Sequence, residues 1–199
     1  MKKQGLMKIL AMLVMFFGIM LLTNRVQAGS IKLNSLDFQI QLNEDGSMDI
    51  TENWNAKISD TNTMFKDFTL DSSKFKEITN VEVYRVESNG TKQMLTQIDE
   101  EMYHVTKNCY YGLKINSETF EIAWGVSVNG TSTRNYQIKY KVIDAVKTYT
   151  DCSELYWQLV GTDNSIPVTK LTVTINLPKS VENKNNVRGW AHRTIQWKY

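Results

Sequence analysis

The most constraining feature of this sequence is an alternation of apolar and polar side chains with a period of two. Successive side chains of a β-strand point to opposite faces, so the pattern predicts strands with one buried face. No segment after residue 28 shows a sustained 3.6-residue apolar stripe. The clearest alternating runs are residues 36–42, 48–58, 120–128, 136–142 and 171–177.

Turn signals separate several of these runs. Asp45-Gly46 between the first two runs predicts a β-hairpin, because Gly accepts the positive φ that a tight turn requires. Asn129-Gly130 predicts a second hairpin between residues 120–128 and 136–142. Residues 59–80 are poorly periodic and indicate a packed loop or short irregular strands.

One-faced strands at short spacing, without crossover helices, predict antiparallel sheets that cover one another's apolar faces. We therefore expect an all-β fold: an antiparallel two-sheet β-sandwich, immunoglobulin-like or jelly-roll-like, over residues 31–181. We expect the polar run at residues 182–186 to mark the end of this single domain, and residues 182–199 to be a C-terminal tail that is the start of a truncated following segment.

The first 28 residues have the layout of a signal peptide helix. Lysines precede a 14-residue apolar run at Ile9–Leu22, and Val26-Gln27-Ala28 is a small-residue cleavage site. A membrane-spanning helix needs about 20 apolar residues, so cleavage after Ala28 is expected in preference to a permanent anchor. The sequence thus predicts an exported protein, secreted or on the extracellular face of a bacterial membrane.

The charge of the exported part disfavours nucleic acid and anionic lipid as partners. The chain has 23 basic and 21 acidic residues, and four of the basic ones lie in the signal segment. The remaining 19 basic side chains form no cluster, so the electrostatic footprint of such partners is missing.

Cys109 and Cys152 are the two cysteines, both in the exported part, where oxidation is permitted. A disulfide between them and two separate, small, buried side chains are the alternatives, because sequence gives no Cα separation.

Glu52 is the most informative polar residue. By parity it shares the apolar face of Ile50 and Trp54, where a carboxylate is costly unless it is paired or hydrogen-bonded. It either lies near a rim, or accepts hydrogen bonds from backbone N–H, Lys or Arg, or serves as a functional carboxylate with a raised pKa.

Asp151, Glu154 and Trp157 are weaker candidates for a binding site. Trp157 follows Tyr156 in a run of indistinct alternation, so one of the two rings is expected at the surface. Acidic residues in loops also admit calcium binding or a glycosidase carboxylate pair, although no loop has EF-hand spacing.

Familiar catalytic and metal-binding patterns are missing from the sequence. His104 and Cys109 would project from opposite faces of one strand, and Gly125-Val126-Ser127 lacks the last glycine of a nucleophile elbow. With His192 as the only other histidine, neither a serine triad nor a His/Cys metal site has enough ligands. We predict no catalytic residue, metal or cofactor.

From Leu36 onward the chain resembles the exported N-terminal domain of the YciQ-like predicted membrane proteins, a bacterial domain of unknown function. The stretches that carry the resemblance are DFQIQLNEDGSMDITENW from Asp37, YQIKYKVIDAVKTYTDCSELYWQLVG from Tyr136, and VTKLTVTINLP ending at Pro178. The resemblance implies an ectodomain followed by a transmembrane helix. Because the chain stops at Tyr199 without a second apolar run, we expect a truncation before that helix.

Together these observations predict a non-enzymatic cell-envelope ectodomain that recognises an envelope protein or a surface polymer through loops. The alternatives are a carbohydrate-active hydrolase with a carboxylate pair, and a truncated fragment without independent function.

Overall fold

The computed structural model describes residues 29–161, 166–178 and 186–190, and these contain strands and turns but no α-helix. The prediction of an all-β fold is confirmed. The ten strands are β1 Ser30–Leu42, β2 Met48–Thr69, β3 Glu77–Val86, β4 Lys92–Met94, β5 Thr96–Gln97, β6 Cys109–Lys114, β7 Thr119–Ile143, β8 Val146–Thr148, β9 Ser153–Leu155 and β10 Leu171–Asn176.

Eight strands form one mixed sheet with the order β10-β1-β2-β7-β3-β4, and β6 pairs with β7 and with β5. The β1–β10 and β5–β6 pairs are parallel, and the other pairs are antiparallel. The strands β8 and β9 form a separate hairpin. The described residues therefore contain one large mixed sheet and a small one, where two antiparallel sheets were expected.

The two longest strands, β2 and β7, pair along nearly their whole length and bend together. Their register shifts between Ser59 and Thr63, and the backbone φ is positive at Asp60, Ser127 and Gly130. Such irregularities bend and twist a strand pair. The carboxylate of Asp60 accepts a hydrogen bond from the Gly130 N–H at 2.7 Å, which ties the two strands together at the bend.

The bend folds the sheet over its own apolar face. We call residues 48–59 of β2 and 131–143 of β7, with β1, β3, β4 and β10, the β1 arm. Residues 61–69 of β2 and 119–128 of β7, with β5 and β6, are the β6 arm. The rings of Trp54 in the β1 arm and Trp124 in the β6 arm lie 5.3 Å apart edge to face, so the main core fills the space between the arms.

Two local predictions are wrong because β2 and β7 are long continuous strands that pair with each other. The strands on either side of Asn129-Gly130 do not pair with each other, because both belong to β7 and pair with β2. Gly130 has a φ of 73° and serves the bend instead of a hairpin turn. The prediction of a packed loop or short strands over residues 59–80 is wrong for residues 59–69, because β2 continues to Thr69, whereas residues 70–76 do form a loop with a buried Phe75.

The first hairpin is confirmed, with Gly46 at a φ of 77° and the Asn43 N–H donating to the Ser47 carbonyl at 2.9 Å. The strand near residues 171–177 is also present as β10, but its alternating apolar row is exposed to solvent. It lies at the end of the sheet, and the arms do not enclose it.

Candidate functional site

Glu52 lies on the inner face of β2 and is completely buried. Its Oε2 atom accepts a hydrogen bond from Trp54 Nε1 at 2.9 Å. Its Oε1 atom accepts two more, each at 2.5 Å, from the Tyr140 hydroxyl and from Lys66 Nζ. The carboxylate therefore has three donors, one of them a cation.

Lys66 reaches Glu52 because β2 bends between them. The two residues are 14 positions apart in one strand, and a straight strand would separate them by about 46 Å at 3.3 Å per residue. The lysine side chain is 11% exposed, and its Nζ lies 4.8 Å from the Phe38 ring centroid and 5.0 Å from that of Phe68. These rings shield the ion pair from water and add cation–π attraction.

Tyr140 completes this buried cluster. Burial, and then the charge of Glu52, raises the pKa of its hydroxyl well above the ordinary value of 10. The hydroxyl therefore remains a donor over the physiological range of pH. Of the alternatives that the sequence left open for Glu52, the geometry matches a carboxylate that accepts a hydrogen bond from a lysine. The sequence interpretation missed Lys66, although Met64, Lys66 and Phe68 share the parity of Glu52.

A second feature is an open groove at the surface, between the β8–β9 hairpin and the turn that follows β2. In that turn Asp71 accepts hydrogen bonds from the Ser73 N–H and hydroxyl at 3.0 and 2.6 Å, and this holds Ser73 and Lys74 in place. The hairpin is fixed from the other side, where the Val146 N–H donates to the Gly46 carbonyl at 3.0 Å. The groove has a volume of about 220 Å³ and is lined by Ser73, Lys74, Ala145, Lys147, Tyr149, Glu154 and Tyr156.

The groove combines two exposed aromatic rings with charged groups. Tyr149 and Tyr156 are both exposed, and Lys74 Nζ lies 4.5 Å above the Tyr156 ring centroid. Lys147 is paired with the neighbouring Asp144 at 2.8 Å. Glu154 stands opposite Lys147 in the hairpin ladder. The groove therefore offers aromatic faces, ammonium donors and a carboxylate acceptor within a short distance of one another.

The structure brings only some of the sequence candidates together. Glu154 and the exposed Tyr156 line the groove, whereas Asp151 is exposed in the β8–β9 turn. The Trp157 ring is half-buried and packs 5.5 Å from Phe75 and 6.0 Å from Phe68, so the exposed ring of the pair is Tyr156. Glu52 belongs to the interior.

Both cysteines are free thiols in the structure. Cys109 is half-buried in β6, and Cys152 is exposed in the β8–β9 turn. Local desolvation and then the neighbouring Asp151 carboxylate raise the pKa of the Cys152 thiol.

His104 is exposed and packs against the Tyr103 ring at 4.3 Å. The predicted cleavage site at Ala28 and the second histidine, His192, lie outside the described residues.

An acidic pair that the sequence interpretation did not find lies on the outer face of the β6 arm. Asp67 and Glu121 stand directly opposite each other across β2 and β7. The Tyr111 hydroxyl donates to Glu121 Oε1 at 2.5 Å. Burial, and then the neighbouring Asp67, raises the pKa of Glu121 above its ordinary value of 4.5, against the opposing effect of the Tyr111 hydrogen bond. Within the described ranges, no three His, Cys, Asp or Glu side chains converge as a metal site.

Comparison with known proteins identifies the family. Residues 32–199 match the family described as the predicted membrane protein (DUF2207) N-terminal domain. This chain is a DUF2207 N-terminal domain. The resemblance found in the sequence is thereby confirmed for the family domain, although the match does not carry the YciQ-like name. Among the described residues of this DUF2207 domain, no helix has the length and hydrophobicity needed to cross a membrane.

Other comparisons add little to this assignment. No curated protein matches this chain. A solved structure of a suggested protease from Parabacteroides distasonis shares 11% sequence identity with it, at a TM-score of 0.36. The match covers 76% of this chain and 30% of that protein.

We predict that Lys66→Met lowers the free energy of unfolding by about 3–5 kcal/mol, because it leaves the Glu52 carboxylate buried without its counter-charge. Chemical denaturation at pH 7 measures this loss. Adding Glu52→Gln to Lys66→Met should recover at least half of it. The control is Lys57→Met, at an exposed position of the same strand, which should change stability little. Equal losses in the two lysine variants would contradict the role of the ion pair.

Glu121→Gln should stabilise the domain at pH 7 by a few tenths to about 1 kcal/mol, because it removes a like-charge cross-strand pair and keeps an acceptor for Tyr111. A carboxyl with a raised pKa in the folded state binds its proton more tightly there than in the unfolded chain. Wild-type stability is therefore lost as pH rises from the ordinary pKa through the folded one, and the advantage of the variant should vanish below about pH 4. Thermal melts across pH test this, with Glu77→Gln at an exposed position as the control.

Proposed function

We propose that this domain is a non-enzymatic interaction module of the bacterial cell envelope that binds a carbohydrate-type surface polymer. The ligand site is the groove between the β8–β9 hairpin and the turn after β2. The observation that carries the proposal is the pair of exposed tyrosines, Tyr149 and Tyr156, in a groove that also presents Lys74, Lys147 and Glu154.

The groove suits a chain of linked sugars better than a small apolar ligand. Tyrosine rings supply rigid, amphipathic surface on which the C–H faces of a sugar pack. Ammonium groups donate to hydroxyl oxygens, and a carboxylate accepts from hydroxyl hydrogens. The Lys74 ammonium already lies over the Tyr156 ring, so part of the site is ordered before a ligand arrives.

A hydrolase is the less favoured alternative. Glycoside hydrolysis commonly requires two carboxylates at the same substrate bond. Of the described residues that line the groove, Glu154 is the one carboxylate. Glu52 is fully buried and bound to Lys66, and this supports binding without bond cleavage.

We further propose that the module faces the outside of the membrane, where a helix beyond Tyr199 holds it once the signal segment has been removed. The support is the signal layout of residues 1–28, together with the family's description as a domain of predicted membrane proteins. N-terminal sequencing of the exported product should begin at Gly29. A product that begins at Met1 would contradict cleavage and favour an anchored N-terminus.

The ligand proposal predicts that the Tyr149→Ala/Tyr156→Ala variant binds purified cell-wall glycans about tenfold more weakly than the wild-type chain, since two stacking surfaces are lost. Retention of the full chain on the insoluble polymer, measured against free glycan as competitor, provides the comparison. Tyr103→Ala is the matched control, because that ring is also exposed but lies outside the groove.

Glycan retention that is unchanged in the double variant, or equally reduced by Tyr103→Ala, would refute the site. Release of soluble sugar that disappears in Glu154→Gln or Asp151→Asn would instead establish the hydrolase.

A further inference from the structure

The end strand β10 presents an apolar row to solvent. Leu171, Val173 and Ile175 are 43%, 36% and 48% exposed. The parallel register places them beside Leu36, Phe38 and Ile40 of β1, which are buried. Residues paired in register project from the same face of a sheet. The exposed row is therefore a continuation of the core-facing side of the sheet, at its outermost strand.

Among the described residues, the free edge of β10 has none of the usual protections. The strand is the last in the sheet order, and within the described part of the chain its second edge pairs with no other strand. Leu171–Asn176 contains no charged residue and no proline. Natural proteins normally guard an edge with lysine, proline, a bulge or a covering segment, because its unpaired N–H and C=O groups can bind another strand.

The sequence of this edge is nearly the same in both directions. Around Val173 it reads Leu-Thr-Val-Thr-Ile, with apolar residues at both ends and threonine on each side of the centre. An antiparallel partner with the same sequence would therefore place apolar side chains opposite apolar ones and threonine opposite threonine. A shift of one residue would set apolar side chains opposite polar ones.

We infer that β10 is a dimerisation edge that pairs antiparallel with β10 of a second copy of this chain. The twofold axis passes through Val173, so that Val173 faces its own counterpart and Leu171 faces Ile175 of the other copy. Lys170 faces the amide Asn176, so this symmetric contact brings no like charges together. The two eight-stranded sheets join into one, and the two apolar rows lie side by side.

Self-pairing is favoured over another partner because the edge is complementary to itself in hydrophobicity and brings no like charges together. One strand edge is a small interface, so the dimer dissociates on dilution. The inference is independent of the proposed groove, which is formed by other residues.

A disulfide trap tests both the contact and its register. In the full chain carrying Cys109→Ala and Cys152→Ser, the Val173→Cys variant should form a covalent dimer on mild oxidation. Residues directly opposite in an antiparallel pair have Cβ atoms about 4.5–5.5 Å apart, close to what a disulfide requires. Thr172→Cys is the matched control, because residue 172 faces residue 174 of the other copy. Its own counterpart is diagonal, at about 7–8 Å.

Several-fold more dimer in Val173→Cys than in Thr172→Cys on non-reducing gels supports the pairing, and equal cross-linking overturns it. A second measurement uses Val173→Lys, which sets two ammonium groups against each other across the axis. Circular dichroism first establishes that this variant is folded. Sedimentation should then show concentration-dependent dimers for the wild-type chain and their loss in the variant. Association that survives Val173→Lys, or a wild-type chain that stays monomeric, overturns the inference.

Discussion

The ion pair between Glu52 and Lys66 is the interaction on which the rest of the architecture depends. Both residues belong to β2, yet they lie in different arms of the folded sheet. A buried carboxylate is costly without a counter-charge and hydrogen bonds. Since Lys66 can supply the charge only when β2 is bent, formation of the pair and closure of the two arms are coupled. Trp54 adds a further donor from β2, and the hydrogen bond from Tyr140 adds the neighbouring strand β7 to the same cluster.

The bend that brings the two arms together also explains why they belong to one continuous sheet. Two separate sheets need loops to connect them, whereas here β2 and β7 run through both arms and carry the ladder around the bend. The positive φ values at Asp60 and Gly130 and the hydrogen bond between these residues form the corner. A polar cluster inside such a corner adds direction to an otherwise non-directional apolar core, because its donors and acceptor meet in only one alignment of the arms.

The period-two pattern was sufficient to predict the all-β class and the inner face of most strands. Glu52 was placed on the inner face of β2 for the same reason. The pairing of β1 with β2 was also predicted correctly, but the role of Asn129-Gly130 was not, because Asn-Gly signals a positive φ whether the chain reverses or merely bends. Lys66 was missed because a charged residue between Met64 and Phe68 interrupts the apolar row. Its position on the inner face becomes understandable only from its ion pair with Glu52, which the sequence does not show.

Exposure depends on tertiary position, which a one-dimensional pattern does not contain. The alternation in β10 is as regular as that in β1, yet one row is buried and the other is open, because β10 lies at the end of the sheet. The groove poses the same difficulty. Its lining comes from the turn after β2 and from the β8–β9 hairpin, about 70 residues further along the chain, and no local motif connects them.

The polar groups of the described residues divide into a buried set paired internally and a set that is accessible at the surface. Inside, the charge of Glu52 is matched by that of Lys66, and the Tyr140 hydroxyl donates to the same carboxylate. At the surface, aromatic rings and charges remain accessible in the groove, and backbone and apolar side chains are accessible along β10. Because the interior charges are engaged with each other, substitutions in the hairpin or along the β10 edge should leave the bend intact. The folded sheet and the surfaces at its periphery are thus separable parts of the structure.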